Sequence, residues 1–482
     1  MSKKNLTERD ICTKFITPAL ESAGWDIHTQ ILEEFPLTKG RIIVRGKLHV
    51  RAQHKRADYV LFYKPNIPIA VIEAKDNTHS ISDGMQQGLG YAELLQVPFV
   101  FSSNGDGFIF HNKIAQDGIL EKEISLDEFP SPETLWNMWT NNQGLNEEQN
   151  TLITQDYYSD GSKKTPRYYQ LLAINKTIEA IAKGQNRILL VMATGTGKTR
   201  LATGLMYRLL KSKRFDRVLF LVDRSSLGTQ AFKAFEAEVI EQGQTLAQIY
   251  TIADLGVDGD TNVDVQVATV QSLVHRLFNT DSPLPIDFYD CIIIDEAHRG
   301  YNLDKEMSEG EESIRDEAQY LSTYKRVLEY FDATLIGLTA TPALHTTEIF
   351  GKPVFTYSFT RAVEEGYLVN YNNPIRYMTK LSQAGIEIPE GTTVQVLTNA
   401  TGQKNTALLQ DDMDFDVADF NRRVIAPAFN KVICQALVED LKPLGDEKTM
   451  IFCVTDRHAD QVVALLNELF KEKYGKDWNN DA

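Results

Sequence analysis

The twelve residues from Ile188 to Thr199 read ILLVMATGTGKT. An apolar run typical of a buried strand leads into a glycine-rich turn, and a helical pattern follows it. Glycines allow backbone N–H groups to turn inward around phosphates, and the start of a helix adds partial positive charge. The segment therefore predicts a strand, a phosphate-binding loop and a helix. The alternative is a chance glycine-rich turn.

Within this phosphate loop, residues 192–199, two side chains have predicted roles in binding a nucleoside triphosphate. Lys198 would reach the β- and γ-phosphates, and the Thr199 hydroxyl would hold Mg²⁺. The loop departs from the general pattern, because Met192 occupies the place of its first glycine. The other predicted nucleotide contacts in the loop are Thr194, Gly195, Thr196 and Gly197.

Downstream, apolar strand-like runs alternate with helical segments, which predicts βαβ units and a parallel sheet in an α/β fold. Ligand sites of such sheets lie where the strands end. Asp295-Glu296-Ala297-His298 follows one run, with Asp295 predicted to bind Mg²⁺ and Glu296 to polarise the attacking water. A solvated charged loop is the alternative. The predicted strands are Ile188–Met192, Val218–Val222, Val265–Thr269, Cys291–Ile294 and Thr334–Leu338.

The segment Leu338-Thr339-Ala340-Thr341-Pro342 also ends a predicted strand. We expect the hydroxyls of Thr339 and Thr341 to bond His298 and to link the nucleotide state to movement of the lobe. A plain turn is the alternative.

The N-terminal segment, residues 1–145, predicts a separate mixed α/β domain that opens with a helix over Thr7–Ser22. Asp58 begins a strand-like run and Glu73 ends the next, so adjacent strands would bring the two carboxylates together to bind Mg²⁺. Lys75 would orient water or stabilise charge on a phosphate. Such a metal site activates water for phosphodiester cleavage, although Asp followed by Glu-x-Lys also arises by chance.

Three further residues accompany this predicted nuclease site. Gln87 and Tyr91, spaced i and i+4, lie on one face of a helix predicted near Ser82–Leu95. Glu8 on the first helix would add a carboxylate. A solvated glutamate and a core tyrosine are the alternatives for Glu8 and Tyr91.

Composition fits a soluble chain of about three domains: of its 482 residues, 43% are hydrophobic and 24% charged. No apolar run approaches the roughly 18 residues of a membrane span, and the start lacks a signal-peptide pattern. The four cysteines are far apart in sequence, which favours a reduced, cytoplasmic protein without membrane contact.

The net charge of −16 argues against DNA binding, although a local basic groove decides contact. Residues 39–56 carry seven Lys and Arg and no acidic residue. They form a candidate DNA-binding groove, or else a solvated strand and loop.

Composition shifts predict the domain boundaries. A polar stretch, residues 146–165, predicts a linker, and residues 166–370 form a predicted α/β lobe that contains the phosphate loop. A third part, residues 371–482, has one predicted buried strand, Thr449–Val454, and then a helical run through Glu468. It looks like the start of a second α/β lobe. An acidic patch, residues 304–317, predicts a surface insertion.

Three motifs occur in a fixed order: the phosphate loop, Asp295–His298 and Leu338–Pro342. In this order they resemble the motifs of superfamily-2 helicases and translocases, which have RecA-like folds and bind ATP and Mg²⁺. We call the predicted lobe that carries them, residues 166–370, the first motor lobe. Gln170 in Pro166–Gln170 resembles the adenine-reading Gln segment, and Leu221–Arg224 and Ala268–Ser272 resemble DNA-contacting motifs. Thr449–Arg457 resembles the start of the second lobe. The resemblance implies that the second lobe supplies arginine fingers to ATP, and Arg457 does not match them. We therefore expect the chain to be a fragment that binds ATP weakly and does not complete its hydrolysis.

The carboxylates Asp58 and Glu73 with Lys75 resemble the PD-(D/E)xK nucleases, with Ala57 where Pro is usual. Gln87 and Tyr91 resemble the Gln-x-x-x-Tyr element of the RecB-like branch. Longer stretches, among them Tyr324–Ala333 and Phe359–Val369, make the chain similar to the restriction (R) subunits of type I restriction-modification enzymes, here as an N-terminal fragment.

This resemblance implies an ATP-dependent translocase and Mg²⁺-dependent endonuclease that cuts double-stranded DNA. Its implied partners are DNA and the methylation and specificity subunits of the same complex. Two alternatives stay open: a self-contained helicase-nuclease in DNA repair or phage defence, and a nucleotide-gated DNA-binding module with a degenerate nuclease site.

Overall fold

The chain divides into two compact units at residue 371. In this computed structural model the described residues are 3–45, 48–52, 54–155, 166–222, 225–241, 243–254, 263–298, 317–371, 386–389, 391–397, 404–408, 413–415, 420–421, 424–425, 427–441, 443 and 449–475. The expected nuclease domain and first motor lobe both belong to the first unit.

The N-terminal part is a mixed sheet flanked by helices. Its strands lie in the order β1-β4-β5-β6-β7-β8, and only the β5–β6 pair is parallel. This confirms the predicted mixed α/β domain. The strands are β1 (Ile31–Pro36), β2 (Ile42–Arg45), β3 (Leu48–Arg51), β4 (Arg56–Lys64), β5 (Ile67–Ala74), β6 (Phe99–Ser103), β7 (Phe108–Asn112) and β8 (Glu121–Ile124).

Two local predictions in this part are refined. The opening helix consists of α1 (Glu8–Ile11) and α2 (Thr17–Ser22) joined by a π-helical turn, Cys12–Ile16. The basic segment, residues 39–56, contains an antiparallel hairpin of β2 and β3, where the sequence predicted one solvated strand and a loop as the alternative to a groove.

Three further helices complete this part and lead out of it: α3 (Met85–Leu95), α4 (Pro132–Gln143) and α5 (Glu147–Ile153). The last of these lies within the expected linker, residues 146–165. An N-terminal capping box explains why a helix begins there, because Asn146 and Gln149 satisfy each other's backbone N–H groups. Residues 156–165 of that linker lie outside the described residues.

The second sheet has seven parallel strands in the order β13-β14-β10-β15-β16-β9-β17. All five predicted strands are present, which confirms the parallel sheet. A small hairpin, β11 (Val239–Glu241) and β12 (Gln244–Thr245), stands apart. The seven strands are β9 (Arg187–Met192), β10 (Val218–Val222), β13 (Ile252–Asp254), β14 (Val265–Thr269), β15 (Cys291–Ile294), β16 (Thr334–Thr339) and β17 (Phe355–Tyr357).

Helices cover this sheet, and so its central strands are buried along their length. Strands buried on both faces have near-continuous apolar sequences, and for this reason the pattern could be found from sequence. The helices are α6 (Tyr168–Ala182), α7 (Lys198–Lys211), α8 (Ser225–Ala237), α9 (Leu246–Ile249), α10 (Val270–Phe278), α11 (Glu317–Tyr330), α12 (Leu344–Phe350) and α13 (Phe359–Glu364). None of the helices in the described part of the chain combines the length and apolarity needed to cross a bilayer.

The second unit contains a packed helix pair, α14 (Pro427–Asp440) and α15 (Asp456–Tyr474). Two strand pairs accompany it, β18 (Ile386–Ile388) with β21 (Met413–Phe415) and β19 (Thr393–Leu397) with β20 (Lys404–Leu408). The helix predicted through Glu468 is therefore present.

The predicted buried strand Thr449–Val454 is wrong in this structure. These residues form no strand, and the side chains of Met450 and Phe452 are 78% and 89% exposed. A buried parallel strand needs neighbours on both sides to pair its N–H and C=O groups. The strands described in this unit pair only with each other, so the apolar run has no ladder to join.

Within the first unit, the loop after β1 meets the residues after β17. The backbone N–H of Lys39 donates to the carbonyl of Glu365 over 2.8 Å, and the hydroxyl of Tyr367 donates to the carbonyl of Leu37 over 3.1 Å. At Gly366, with φ of +78°, a Cβ would stand 2.0 Å from the carbonyl oxygen of Gly40. Only glycine fits this position.

We expect Gly366→Ala to destabilise the protein by about 3 kcal/mol or more, since a left-handed alanine costs about 1–2 kcal/mol and the overlap forces backbone to move. Gly184→Ala is the matched control, because Gly184 has φ of +82° and no atom within 4 Å of the added Cβ. Thermal unfolding of the two variants separates the cost of a left-handed alanine, which both share, from the overlap with Gly40, which only Gly366→Ala has. Equal decreases in unfolding temperature would contradict the predicted overlap.

Candidate functional site

The three predicted motor motifs meet at one edge of the parallel sheet. The strands β15, β16 and β9 are neighbours, and each motif follows the carboxyl end of its strand. The phosphate loop lies between β9 and α7, with Gly195 and Gly197 at φ of +83° and +90°. Helix α7 begins at Lys198, directly after the loop, so the loop stands at a helix N-terminus, where backbone N–H groups and the helix dipole favour an anion.

Lys198 and Glu296, the predicted phosphate binder and water polariser, form an ion pair. The Lys198 Nζ lies 3.1 Å from Glu296 Oε1, and both side chains are largely buried. Glu296 also has a left-handed φ of +48°, a strained conformation that clusters at functional sites. A phosphate that enters the loop would compete with Glu296 for the ammonium group.

The expected contact between the second and third motifs is confirmed for one threonine. The Nδ1 of His298 lies 2.8 Å from Thr339 Oγ1 and 3.4 Å from Glu296 Oε2. Thr341 has an exposed side chain and contributes its backbone N–H to Thr339 Oγ1 instead. Asp295 accepts a hydrogen bond from the N–H of Glu296, and the Thr199 carbonyl accepts one from Thr203. Their roles with Mg²⁺ stay predictions.

Gln170, the predicted adenine reader, lies under the phosphate loop. Its Nε2 donates to the carbonyls of Thr196 and Gly197 over 3.1 and 3.3 Å, and its Oε1 accepts from the Arg167 N–H. The hydroxyl of Tyr169 also donates to the Thr196 carbonyl. These contacts hold the loop in shape, and contact of Gln170 with adenine stays a prediction.

The expected DNA-contacting segments are described only in part, because Asp223 and Arg224 lie outside the described residues. The predicted acidic insertion also lies outside them up to residue 316. Thr269 caps α10, with its Oγ1 accepting from the Ser272 N–H.

A buried carboxylate near this site, Glu365, was missed by sequence reasoning. It accepts hydrogen bonds from the hydroxyls of Tyr168 and Tyr357 and from Arg361 Nε, and its side chain is 6% exposed. Tyr357 in turn stacks on Tyr169 at 4.0 Å between ring centroids. The i, i+4 spacing of Arg361 and Glu365 was the available signal, but solvated helix pairs show the same spacing.

The predicted nuclease residues Asp58, Glu73 and Lys75 come together at one end of the β4–β5 pair. Tyr59 pairs with Ile72, so the flanking Asp58 and Glu73 face each other across the two strands. Asp58 Oδ2 accepts from the Ala74 N–H over 2.7 Å, and Lys75 Nζ donates to Glu73 Oε1 over 3.0 Å. The departure at Ala57 leaves these residues in place, because Ala57 is a fully buried strand residue paired with Phe35.

The carboxylates of Asp58 and Glu73 lie close together and are largely screened from solvent, which raises the pKa values of both. Burial and the neighbouring Asp58 raise the pKa of Glu73 from 4.5 to about 8. Burial and the carboxylate of Glu8 raise the pKa of Asp58 from 3.8 to about 6, against the hydrogen bond from Ala74. Burial alone would lower the pKa of Lys75, but the Glu73 carboxylate outweighs it and raises that pKa.

One atom of this cluster fits a metal ligand. Glu73 Oε2 is buried, and no hydrogen-bond partner for it exists among the described residues. Unpaired buried carboxylate oxygens are costly unless a cation compensates them. Asp58 and Glu73 offer the oxygen ligands that Mg²⁺ prefers, with room for water and phosphate at other positions. Within the described residues, no larger group of His, Cys, Asp or Glu has metal-binding geometry.

The accessory residues lie beside these carboxylates. Gln87 Nε2 donates to the Tyr91 hydroxyl over 2.8 Å along one face of α3, and the charges of Glu73 and Asp58 act on Tyr91. Burial and those charges raise the pKa of Tyr91. Glu8 Oε2 lies 3.7 Å from Lys75 Nζ, so the first helix does deliver its carboxylate to the site.

The candidate basic groove, residues 39–56, is partly engaged within the protein. Arg51 donates to the Gly366 carbonyl, Arg56 lies 3.6 Å from Glu34, and Lys39 stands over the ring of Tyr367. Lys47 lies outside the described residues, and Arg41 and Lys55 are exposed. DNA contact by this segment stays a prediction.

Comparisons with known proteins agree with both halves of the first unit. Residues 27–130 match the family "Type I restriction enzyme R protein N terminus (HSDR_N)". Residues 163–344 match the family "Type III restriction enzyme, res subunit". The second match covers all three motor motifs.

Two curated relatives and one solved structure extend over nearly the whole chain. The EcoAI endonuclease subunit of a type I restriction enzyme from Escherichia coli is 41% identical over 99% of this chain and 56% of the relative. The EcoKI endonuclease subunit from Escherichia coli strain K12 is 40% identical over 98% of this chain and 44% of the relative. A solved fragment assigned to an HsdR subunit from Vibrio vulnificus YJ016 has a TM-score of 0.63 and 27% identity, over 97% of this chain and 76% of that one.

The chain spans about half the length of these curated relatives. Both halves of the first unit match family models, and the resemblance to the relatives continues past residue 371. The chain therefore belongs to the family of type I restriction enzyme endonuclease (R) subunits.

Proposed function

We propose that this chain is the nuclease and motor part of an ATP-dependent endonuclease that cuts double-stranded DNA. One observation carries the proposal: a single compact unit holds both a buried carboxylate pair with an unsatisfied oxygen and a phosphate loop beside two further motor motifs. The relatives, named as endonuclease subunits of type I restriction enzymes, support the same reading.

At the motor site, the residues have complementary tasks. The backbone of the phosphate loop and Lys198 would hold the phosphates of ATP, and Thr199 and Asp295 would hold its Mg²⁺. A phosphate on Lys198 would free Glu296 from its ion pair, and the Glu296 carboxylate could then accept a hydrogen bond from the attacking water. His298 contacts Thr339 at the end of β16. Through this contact, a change at the nucleotide site would reach that strand.

At the nuclease site, Asp58 and Glu73 would hold Mg²⁺. A metal bound there supplies an acidified water and neutralises charge on the scissile phosphate. Lys75 donates to Glu73 and to the Ala74 carbonyl, and its ammonium group beside the carboxylates would stabilise negative charge that develops on the phosphate. Gln87 donates to the Tyr91 hydroxyl on the adjoining helix face, and the pair would belong to this site as the Gln-x-x-x-Tyr element does in the nucleases that the chain resembles.

The proposed partners are duplex DNA and the methylation and specificity subunits of a type I complex. They are expected to supply the target recognition. The self-contained helicase-nuclease is the alternative to be tested.

The test is cleavage of a supercoiled plasmid that carries one unmethylated target, with Mg²⁺ throughout. The restriction subunit is assayed with and without ATP, and with and without the methylation and specificity subunits. We expect cutting only when both are present. Cutting without the partner subunits would favour the self-contained helicase-nuclease, and no cutting under any condition would favour the DNA-binding module.

The raised pKa values of Asp58 and Glu73, about 6 and about 8, predict a pH-dependent metal requirement. Metal ligands must lose their protons to bind. Both carboxyls are ionised above pH 8 and both are protonated below pH 6, so Mg²⁺ displaces more protons as pH falls.

We therefore expect the Mg²⁺ concentration for half-maximal cleavage to rise at least about tenfold between pH 8.5 and pH 6. ATP hydrolysis, measured in the same samples, controls for the motor's own Mg²⁺. A Mg²⁺ requirement for cleavage that is independent of pH would refute this prediction.

A further inference from the structure

A buried arginine joins the nucleotide-binding helices to the end of the N-terminal domain. Arg208 lies on α7, the helix that begins at Lys198, and is 1% exposed. Its Nη2 donates to the carbonyl of Ile153 over 2.5 Å, and its Nη1 donates to Asn175 Oδ1 over 2.9 Å. Ile153 is the last residue of α5, where carbonyls have no partner within the helix. Arg208 thus binds two oxygens from two other helices.

Asn175 continues this path into the nuclease sheet. It lies on α6, the helix that also carries Gln170 under the phosphate loop. Its Nδ2 donates to the carbonyl of Asn66 over 2.9 Å. One amide side chain therefore accepts from the helix of Lys198 and donates to the N-terminal domain.

Asn66 lies in the turn that joins β4 and β5, where it follows Pro65 and adopts a left-handed φ of +68° that asparagine tolerates. These two strands carry Asp58 and Glu73. They are paired from Lys64–Ile67 at the turn to Tyr59–Ile72 beside the carboxylates, with register irregularities at Leu61/Phe62 and Phe62/Lys64. The hairpin therefore connects the Asn175 contact at its turn with the two carboxylates at its other end.

A second set of contacts joins α6 to the N-terminal sheet. The loop after β1 is held by the backbone of Glu365 and by Tyr367, and β1 pairs with β4. Glu365 itself binds Tyr168 on α6. Helix α6 thus reaches β4 by two routes, one through Asn66 and one through β1.

We propose that Asn175 and Arg208 are positioning residues that carry the nucleotide state of the motor to the nuclease hairpin. Nucleotide binding orders α6 and α7 at the phosphate loop, and the bridge Arg208–Asn175–Asn66 then fixes the β4–β5 turn and the two carboxylates at its far end. Coupling of the two sites thus runs through protein contact as well as through DNA. The proposal rests on the proposed function of both sites.

The test uses the intact restriction complex with Asn175→Asp. The change keeps the size of the side chain and the oxygen that accepts from Arg208, but it sets a carboxylate oxygen against the Asn66 carbonyl. Asn175→Ala removes both bonds. Asn137→Asp on the exposed face of α4 is the matched control.

We expect both Asn175 variants to keep ATP hydrolysis near the wild-type rate while DNA cuts per ATP hydrolysed fall about tenfold, a size that coupling residues along a contact path produce. Hydrogen exchange gives an independent readout. Mg²⁺ with a non-hydrolysable ATP analogue should slow amide exchange in β4 and β5 of the wild type and of Asn137→Asp. In the Asn175 variants it should slow exchange in α7 alone.

Wild-type cutting per ATP together with wild-type protection of the hairpin in both Asn175 variants would overturn the proposal. Loss of ATP hydrolysis in both variants would overturn it too, since the bridge would then serve the fold of the motor. A wild-type complex that neither hydrolyses ATP nor cuts would instead refute the proposed function. The exchange experiment needs only nucleotide binding, so it still tests the bridge.

Discussion

Lys198→Ala is expected to lower ATP hydrolysis by at least about 100-fold and to abolish ATP-dependent DNA cleavage, with Mg²⁺ present throughout. A positioned cation that stabilises transferring phosphate contributes about this much in similar sites. The structure adds a reason, because Lys198 is largely buried and pairs with Glu296. Without the ammonium group, Glu296 is left beside the phosphates as an uncompensated negative charge.

The control for Lys198→Ala is Lys183→Ala, because Lys183 forms a partly exposed ion pair with Glu179 at the C-terminal end of α6. Such pairs contribute little, typically below about 1 kcal/mol. We expect wild-type hydrolysis and cutting from the control. DNA cleavage by Lys198→Ala at the wild-type rate would mean that the nuclease works without the motor. That result would favour the hypothesis of a self-contained helicase-nuclease.

A further comparison separates the two partners of this ion pair. Glu296→Gln removes the polarising carboxylate but leaves Lys198 free for phosphate, so ATP binding should be kept while hydrolysis is lost. Lys198→Ala should weaken both. This difference can be measured by binding of a fluorescent ATP analogue to the two variants.

The sequence was sufficient for the parallel sheet, because strands buried on both faces are apolar throughout and each carries its motif at the same end. Cys291–Ile294 followed by Asp295 could be assigned to such a strand without any knowledge of its neighbours. The contact of His298 with Thr339 could also be predicted, because both residues follow strands of one sheet.

Other features depend on partners that no local pattern reveals. Thr449–Val454 has the composition of a buried strand, but a strand forms only where a ladder accepts it. Asn175 and Arg208 look like ordinary polar residues of amphipathic helices, and only the packing of α5, α6 and α7 buries Arg208 and brings it to Asn175. The pairing of Lys198 with Glu296 likewise joins residues that are far apart in sequence.

The nuclease site lies between these cases. Asp58, Glu73 and Lys75 could be named from their positions at the ends of two predicted strands. The raised pKa of Glu73 could not be predicted in the same way, because it depends on burial in the surrounding sheet and on the facing carboxylate of Asp58. A buried pair of like charges lowers stability in the absence of metal, and such costs are typical of functional sites.

This cost makes Glu73→Gln the most informative change in the N-terminal domain. We expect it to reduce DNA cleavage by at least about 1,000-fold while ATP hydrolysis is kept, because the amide removes a metal ligand and its charge. The same change should raise the temperature of unfolding in EDTA by several degrees at pH 8, since the buried carboxylate no longer needs to ionise.

The sign of the stability effect follows from the two pKa values. Below about pH 4.5, Glu73 is protonated in the folded and unfolded chain and costs nothing. Between pH 4.5 and about 8, the unfolded chain releases the proton and the folded chain retains it, so wild-type stability falls as pH rises. The advantage of Glu73→Gln should therefore be near zero at pH 4.5 and largest at pH 8 and above.

Thermal unfolding of the wild type, Glu73→Gln and Glu123→Gln at both pH values measures this effect. Glu123, an exposed residue of β8 in the same sheet, is the control for the loss of a charge. Addition of Mg²⁺ should stabilise the wild type at pH 8 more than Glu73→Gln, because a ligand that binds only the folded chain raises its stability. If Glu73→Gln unfolds at a lower temperature than the wild type in EDTA at pH 8, or still cuts DNA, Glu73 is a structural carboxylate and the metal site lies elsewhere.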